Sequence, residues 1–225
     1  MRIVRLSSVR RVAALLAWLS AFGIAAEEEH GGARVAASSR WSAAMTRADV
    51  RLGRVDADHD DDYLYRLPYG DDVSFPIIQA YGAKLSHRGA EHFTLDFAMP
   101  VGTPVHAARE GVVVLVEDSH DVGCASGECA PLANFVVVLH SDGTTGEYFH
   151  LERGSAEVRV GERVARGQRL ARSGDTGFST APHLHFGVYR TGRDRTTESL
   201  AVRFKTRSGA VGTPRSGAHY LNAIE

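Results

Sequence analysis

Five side chains in this sequence have types and spacings that could hold a metal ion and move protons beside it: His92, Asp96, His150, His183 and His185. The tightest group is Pro182-His183-Leu184-His185-Phe186. Leu184, Phe186 and Val188 alternate there with His183, His185 and Gly187, the period-two pattern of a β-strand. Residues i and i+2 of a strand share a face, so both imidazoles look into one site roughly 7 Å apart. Neutral imidazole is the commonest protein ligand for metals. Two exposed histidines on a half-buried strand would give the same pattern, so the pair needs partners.

His92-Phe93-Thr94-Leu95-Asp96 supplies the first. The aromatic and β-branched run into Met99-Pro100 predicts a strand leading to a turn. In a straight strand His92 and Asp96 would stand ~13 Å apart, too far to share one ion. His92 is therefore expected on a loop that folds back over Asp96. Two imidazoles and one carboxylate form a mixed nitrogen–oxygen set that suits zinc, with a fourth position left for water.

Tyr148-Phe149-His150-Leu151 follows the turn Ser141-Asp142-Gly143 and completes a specific order. His-x-x-x-Asp, aromatic-x-His-Leu, Gly-x-Thr-Gly-x-Ser-Thr and His-Leu-His-Phe occur in succession. So arranged, they resemble the lysostaphin-type (LytM-like) zinc metallopeptidases that cut peptidoglycan peptides. Asp96–Pro100, Gly102–Val105, Gly111–Val113, Val160–Val164 and Gly167-Gln168 extend the likeness, which covers Phe75 to Arg190. The resemblance implies one zinc ion held by His92, Asp96 and His185, with His150 and His183 as the non-ligand catalytic histidines. It implies His183 as general base and His150 as transition-state stabiliser, or the two roles exchanged. Zinc lowers the pKa of a water molecule to about 7, and an imidazole that titrates nearby can take or return its proton. Ala181 stands where the family usually has glycine, which bears on the shape of the groove.

Each residue also has a bland reading: satisfied strand histidines, a turn carboxylate at Asp96, a surface histidine at His150. That reading must be invoked separately at all five positions. The family also contains members that have lost ligands and act as non-catalytic activators of cell-wall amidases. A peptidoglycan-binding regulator is therefore the alternative function. A lipoyl-type carrier, suggested by glycine-punctuated hairpins from Val158 to Gly174, needs a displayed lysine, and none lies between Lys84 and Lys205.

Arg2, Arg5, Arg10 and Arg11 precede the apolar run Val12–Ala26, whose fifteen residues would span roughly 22 Å as a helix. That is short of the ~30 Å hydrocarbon core, and small residues precede Glu27-Glu28-Glu29. Residues 1–26 therefore read as a cleaved secretory signal, the alternative being an uncleaved anchor. The expected location is exported, periplasmic or extracellular, with no membrane association after cleavage. Net charge is −1, and the arginines are dispersed, so nucleic-acid binding is not indicated. Cys124 and Cys129 are the two cysteines, and in an exported protein a short disulfide pinning their loop is expected. Asp56-Ala57-Asp58-His59-Asp60 starts like a calcium loop but has Asp61 where glycine is needed and Leu67 where a bidentate glutamate is needed.

Short β-runs are predicted at Thr94–Ala98, Gly111–Glu117, Asn134–His140, Thr145–His150, Gln168–Arg172 and His183–Tyr189, with a closing strand at Ala201–Lys205. No long amphipathic helix intervenes. The expected fold class is mainly β: a compact antiparallel sheet core with short strands and long groove-forming loops. The expected organisation is a signal (1–26), a linker or N-terminal extension (27–70) with at most a short helix near Trp41–Val50, a LytM-like zinc peptidase domain (71–205) and a tail (206–225). The expected function is an exported zinc metalloendopeptidase that takes a peptidoglycan peptide as substrate and cuts its cross-links or stem peptides.

Overall fold

The computed structural model describes residues 59–191 and 196–224. The expected signal and the expected helix near Trp41–Val50 lie outside the described residues. Among the described residues no helix is long and apolar enough to cross a membrane.

An eight-stranded sheet organises the chain. Its spatial order is Ile77–Gln79, Leu95–Phe97, Leu184–Thr191, Thr145–Phe149, Phe135–Leu139, Gly111–Glu117 and Arg163–Val164, and Thr197–Ser199 also pairs with Leu184–Thr191. Every pairing within it is antiparallel. The fold is thus mainly β, as the closely spaced runs predict. Gly111–Glu117 matches its predicted bounds, four further predicted strands shift by one or two residues at their ends, and the short strands Ile77–Gln79, Arg163–Val164 and Thr197–Ser199 are not among those predicted.

One face of the sheet carries the main core. Leu95, Phe97, Val136, Val138, Tyr148, Leu184, Phe186 and Val188 are buried there. Each such side chain contributes about 1.5–3 kcal/mol relative to exposure. The intervening residues Phe135 and Val137 instead pack with Tyr189 on the opposite face. Phe135–Leu139 is consequently buried along its whole length, and the sheet is apolar on both sides at its centre. A rigid strand pair results, joined through Gly143 at φ 88° and Asp142, whose Oδ1 accepts from Thr144 N and Oγ1.

Part of the 27–70 extension drawn from sequence belongs to the folded core. Tyr65, Leu67 and Tyr69 are fully buried, and Leu64–Tyr65 pairs in parallel with Arg203–Thr206. Their period-two spacing is visible in the sequence, but the acidic run before it and Pro68 within it mask the pattern. The 206–225 tail is likewise anchored. Asn222 is buried, accepts from Leu67 N at 2.8 Å and donates to Tyr69 O at 2.8 Å.

Replacing Asn222 by alanine leaves buried Leu67 N without its acceptor, while Tyr69 O keeps Arg66 Nη2 as a donor, so Asn222→Ala is expected to cost about 1–3 kcal/mol. Urea unfolding measures this directly. A change near zero would show that the tail is not bound to the core through this amide.

Candidate functional site

Strand register creates the centre of the site. His185 lies directly opposite Asp96 on one side and Phe149 on the other. Its Nδ1 stands 2.8 Å from Asp96 Oδ1. The other carboxylate oxygen, Oδ2, accepts from Gln79 Nε2 at 2.6 Å. Asp96 is therefore oriented by two neighbours on adjacent strands.

The third member of this cluster is His87. Its Nε2 lies 3.1 Å from Asp96 Oδ1, and the ring is fully buried. Ligand atoms of His87, Asp96 and His185 all fall within 4.8 Å of one another. His87 Nδ1 faces the carbonyl oxygen of Ala80 at 3.0 Å. A carbonyl can only accept, so Nδ1 carries the proton and Nε2 presents a lone pair. That Nε2 is buried without a hydrogen-bond partner. An orphaned, buried lone pair aimed at a carboxylate is costly alone and fits a cation between the two. Two imidazole nitrogens and a carboxylate oxygen are a donor set suited to zinc.

His92, expected as the first ligand, does not join this cluster. The 3-10 turn Gly89–Glu91 ends on it, and successive residues of such a turn point about 120° apart. Glu91 turns toward His185, whereas His92 is exposed, with its ring against Gly82 and Phe93. The chain does not fold His92 back over Asp96; it brings an upstream histidine to the carboxylate instead. Gly89 at φ 57° lets the chain reverse between His87 and Asp96, and His87-Arg88-Gly89 is the sequence signal for it.

His150 reaches the site through its backbone. By strand alternation it would share the core face with Tyr148. It instead adopts φ 63°, the left-handed region that is rare for a residue with a side chain. The ring thereby sits 4.5 Å from that of His183 and 6.0 Å from that of His185, centroid to centroid. His150 Nδ1 donates to Thr176 O at 2.6 Å, and His183 Nδ1 donates to Ala181 O at 2.8 Å. Both rings therefore present an unprotonated Nε2 in their neutral form. His183 Nε2 lies 3.9 Å from Asp96 Oδ2. Thus four of the five expected residues, Asp96, His150, His183 and His185, converge.

The segment that holds both histidines is itself held. Gly177–Phe178 pairs in parallel with Gly123–Cys124, Ser179 N donates to Cys124 O, and Cys124 is joined to Cys129 by the expected disulfide. A Cβ at Gly123 would stand 1.7 Å from Asp175 O, so only glycine permits this approach.

Charge follows from the geometry. Burial opposes protonation of His185, but Asp96 and Glu91 outweigh it and hold the imidazolium up to about 10. Burial would raise Asp96, but the hydrogen bond and charge of His185 hold it well below the usual carboxylate range. Burial, with His183 and His185 adding to it, pushes His150 down to about 3. Glu147, opposite Gly187 in register, is pushed well above the carboxylate range by burial and by Glu91.

A mainly antiparallel β scaffold converges two imidazoles and a carboxylate, with two further imidazoles alongside, a cluster that could hold a metal ion. Residues 90–197, just under half of the chain, match Peptidase family M23, which supports a lysostaphin-type reading of that stretch. The match begins after His87 and includes His92, Asp96, His150, His183 and His185. The chain is similar to the peptidoglycan DD-endopeptidase ShyA of Vibrio cholerae, 38% identical over 109 residues, covering 48% of this chain and 23% of that protein. It is similar to lysostaphin of Staphylococcus simulans, 38% identical over 103 residues, covering 45% and 19%. The crystallised catalytic domain of lysostaphin aligns with it at 29% identity and a TM-score of 0.38, over 71% of this chain and 95% of that one. The chain spans about a quarter or less of the length of these two relatives.

Two outcomes are expected. His87→Ala weakens zinc affinity at least about 100-fold in a chelator competition, because a cation site loses one of three protein donors, whereas His92→Ala leaves it unchanged. Equal losses in both variants would restore His92 as a ligand. In the cation-free protein, His185 titrates above its ordinary 6.5, so its stabilising charge is fully present below that pH and is lost as pH rises through about 10. The thermal midpoint of cation-free protein should therefore fall between those values. A flat profile would remove the ion cluster as a stabilising element.

Proposed function

We propose that this chain is an exported zinc endopeptidase that hydrolyses peptide bonds of peptidoglycan. The observation that carries the reading is the convergence of His87 Nε2, Asp96 Oδ1 and His185 Nδ1, with His150 and His183 presenting lone pairs beside them. The names and activities of ShyA and lysostaphin support peptidoglycan as the substrate class. The arginine-led apolar segment at residues 1–26 supports export.

His87, Asp96 and His185 would hold the ion. Zinc, when bound there, supplies Lewis acidity that acidifies a water molecule and polarises a carbonyl. The remaining work falls to the chain. His183 is the general base: its Nε2 accepts the proton of the attacking water and returns it to the leaving amine. Asp96 Oδ2 at 3.9 Å favours the imidazolium formed in between. Ala181 O fixes the ring through Nδ1, so the accepting atom stays in place.

His150 is held neutral by its surroundings, and its Nδ1 proton is committed to Thr176 O. Its Nε2 is thus an acceptor suited to orienting the attacking water. Acting as donor to a developing oxyanion would require a second proton on the ring, which burial disfavours. The two histidines therefore divide the work as base and water-orienting acceptor, in place of the base and oxyanion stabiliser implied by the resemblance.

Digestion of purified sacculi, read by mass spectrometry of released muropeptides, tests the whole reading. Zinc-replete protein should release peptides from cross-links or stems, and a chelator should stop it. His183→Ala should keep zinc yet lose at least about 100-fold in turnover, the usual scale for a proton-transfer group. Zinc retained with no release by the wild type would favour the wall-binding regulator. Full activity in His183→Ala would remove the assigned base.

A further inference from the structure

We propose that Glu91, held by Tyr189, is a positioning residue that orients His185 for the metal and strengthens it as a donor. The inference rests on the reading of His87, Asp96 and His185 as the metal-holding set. Glu91 lies outside that set and outside the catalytic histidines.

A histidine that gives its Nδ1 lone pair to a cation must carry its proton on Nε2. In this chain His185 Nδ1 points at Asp96, and its Nε2 faces Glu91 Oε2 at 3.6 Å. That separation is longer than a hydrogen bond and within reach of charge attraction. The carboxylate therefore stands behind the imidazole, on the side away from Asp96. Carboxylates so placed fix ring orientation and raise the basicity of the ligating nitrogen.

Several contacts place Glu91 there. The Tyr189 hydroxyl donates to the same Oε2. Tyr189 lies on the His185 strand, four residues on, and its ring folds back across Gly187. A Cβ at Gly187 would stand 2.6 Å from Tyr189 Cε2 and 2.8 Å from Thr94 Cγ2, so the absence of a side chain opens the path for that ring. On the other side, Thr94 Oγ1 donates to Glu91 O at 2.8 Å, and Phe93 N donates to Ser199 Oγ at 2.8 Å. The short 3-10 turn is thus tied to two strands of the sheet, and the carboxylate projects from it toward His185. The side chain is only 15% exposed, so solvent screens the pair weakly. A surface carboxylate in a turn needs none of this support.

The test is zinc competition against a fluorescent chelator with the full-length protein, together with the visible absorption of the Co2+-loaded form. Glu91→Gln keeps the size and the hydrogen-bonding capacity but removes the charge. It is expected to weaken zinc affinity about 10- to 100-fold and to shift the Co2+ bands. Tyr189→Phe keeps the ring and frees the carboxylate, and should give a smaller loss in the same direction. A purely structural role for Glu91 predicts that the isosteric glutamine rescues both readouts. Affinity within about twofold of wild type, with unchanged bands, overturns the proposal and leaves the metal site standing. If Glu91→Gln does not fold, Tyr189→Phe decides, and wild-type affinity in that variant overturns it. A wild-type protein that binds no zinc overturns the metal reading, and this inference with it.

Discussion

The antiparallel register that sets His185 opposite Asp96 is the constraint from which the rest of the site is built. A direct cross-strand pair brings two side chains together without any loop, so its precision is that of the sheet. Once that pair is fixed, His87 needs only to cap it from a loop, and Gln79 from the outer strand orients the second carboxylate oxygen. The sheet can serve as such a platform because its middle is buried on both faces. Phe135, Val137 and Tyr189 pack one side, and the main core packs the other.

Backbone carbonyls do the finer chemical work. Ala80 O, Thr176 O and Ala181 O each accept from the Nδ1 of one histidine: His87, His150 and His183. Three rings are thereby committed to one tautomer, with Nε2 free to ligate or to take a proton. His185 is the exception, since it faces carboxylates through both nitrogens. A carbonyl fixes a proton on the nitrogen that faces it, whereas two carboxylates favour the cation. The site thus separates one ring set between two carboxylates from three rings anchored through Nδ1 to backbone oxygens.

The loops that carry those carbonyls are not independent of the sheet. Gly177–Phe178 is paired with the disulfide-bearing loop, and the left-handed backbone at His150 bends its ring out of the core face. Conformational cost of order 1–3 kcal/mol at such a residue persists only where the surroundings enforce it. The hydrogen bond to Thr176 and the packing against His183 supply that enforcement.

Much of this was legible in the sequence. Alternation at Leu184, Phe186 and Val188 named the strand and put His183 and His185 on one face, and closely spaced turns named a mainly antiparallel β fold. The ordered motifs carried the resemblance to the lysostaphin type. These signals are local: period-two patterning and turn residues act within a few positions and need no knowledge of the rest of the chain. His87 was not legible in that way, and His92 stood in its place, because which loop histidine meets Asp96 depends on a 3-10 turn that sends Glu91 inward and His92 outward. The same holds for Tyr65, Leu67 and Tyr69, whose partners include a strand about 140 residues away. Sequence alone determined the elements, the family resemblance and four of the five converging residues. Only the tertiary structure decided that His87 joins the cluster, which ring nitrogens face backbone oxygens and where Glu91 stands, because each depends on contacts between segments whose distance along the chain carries no information about their distance in space.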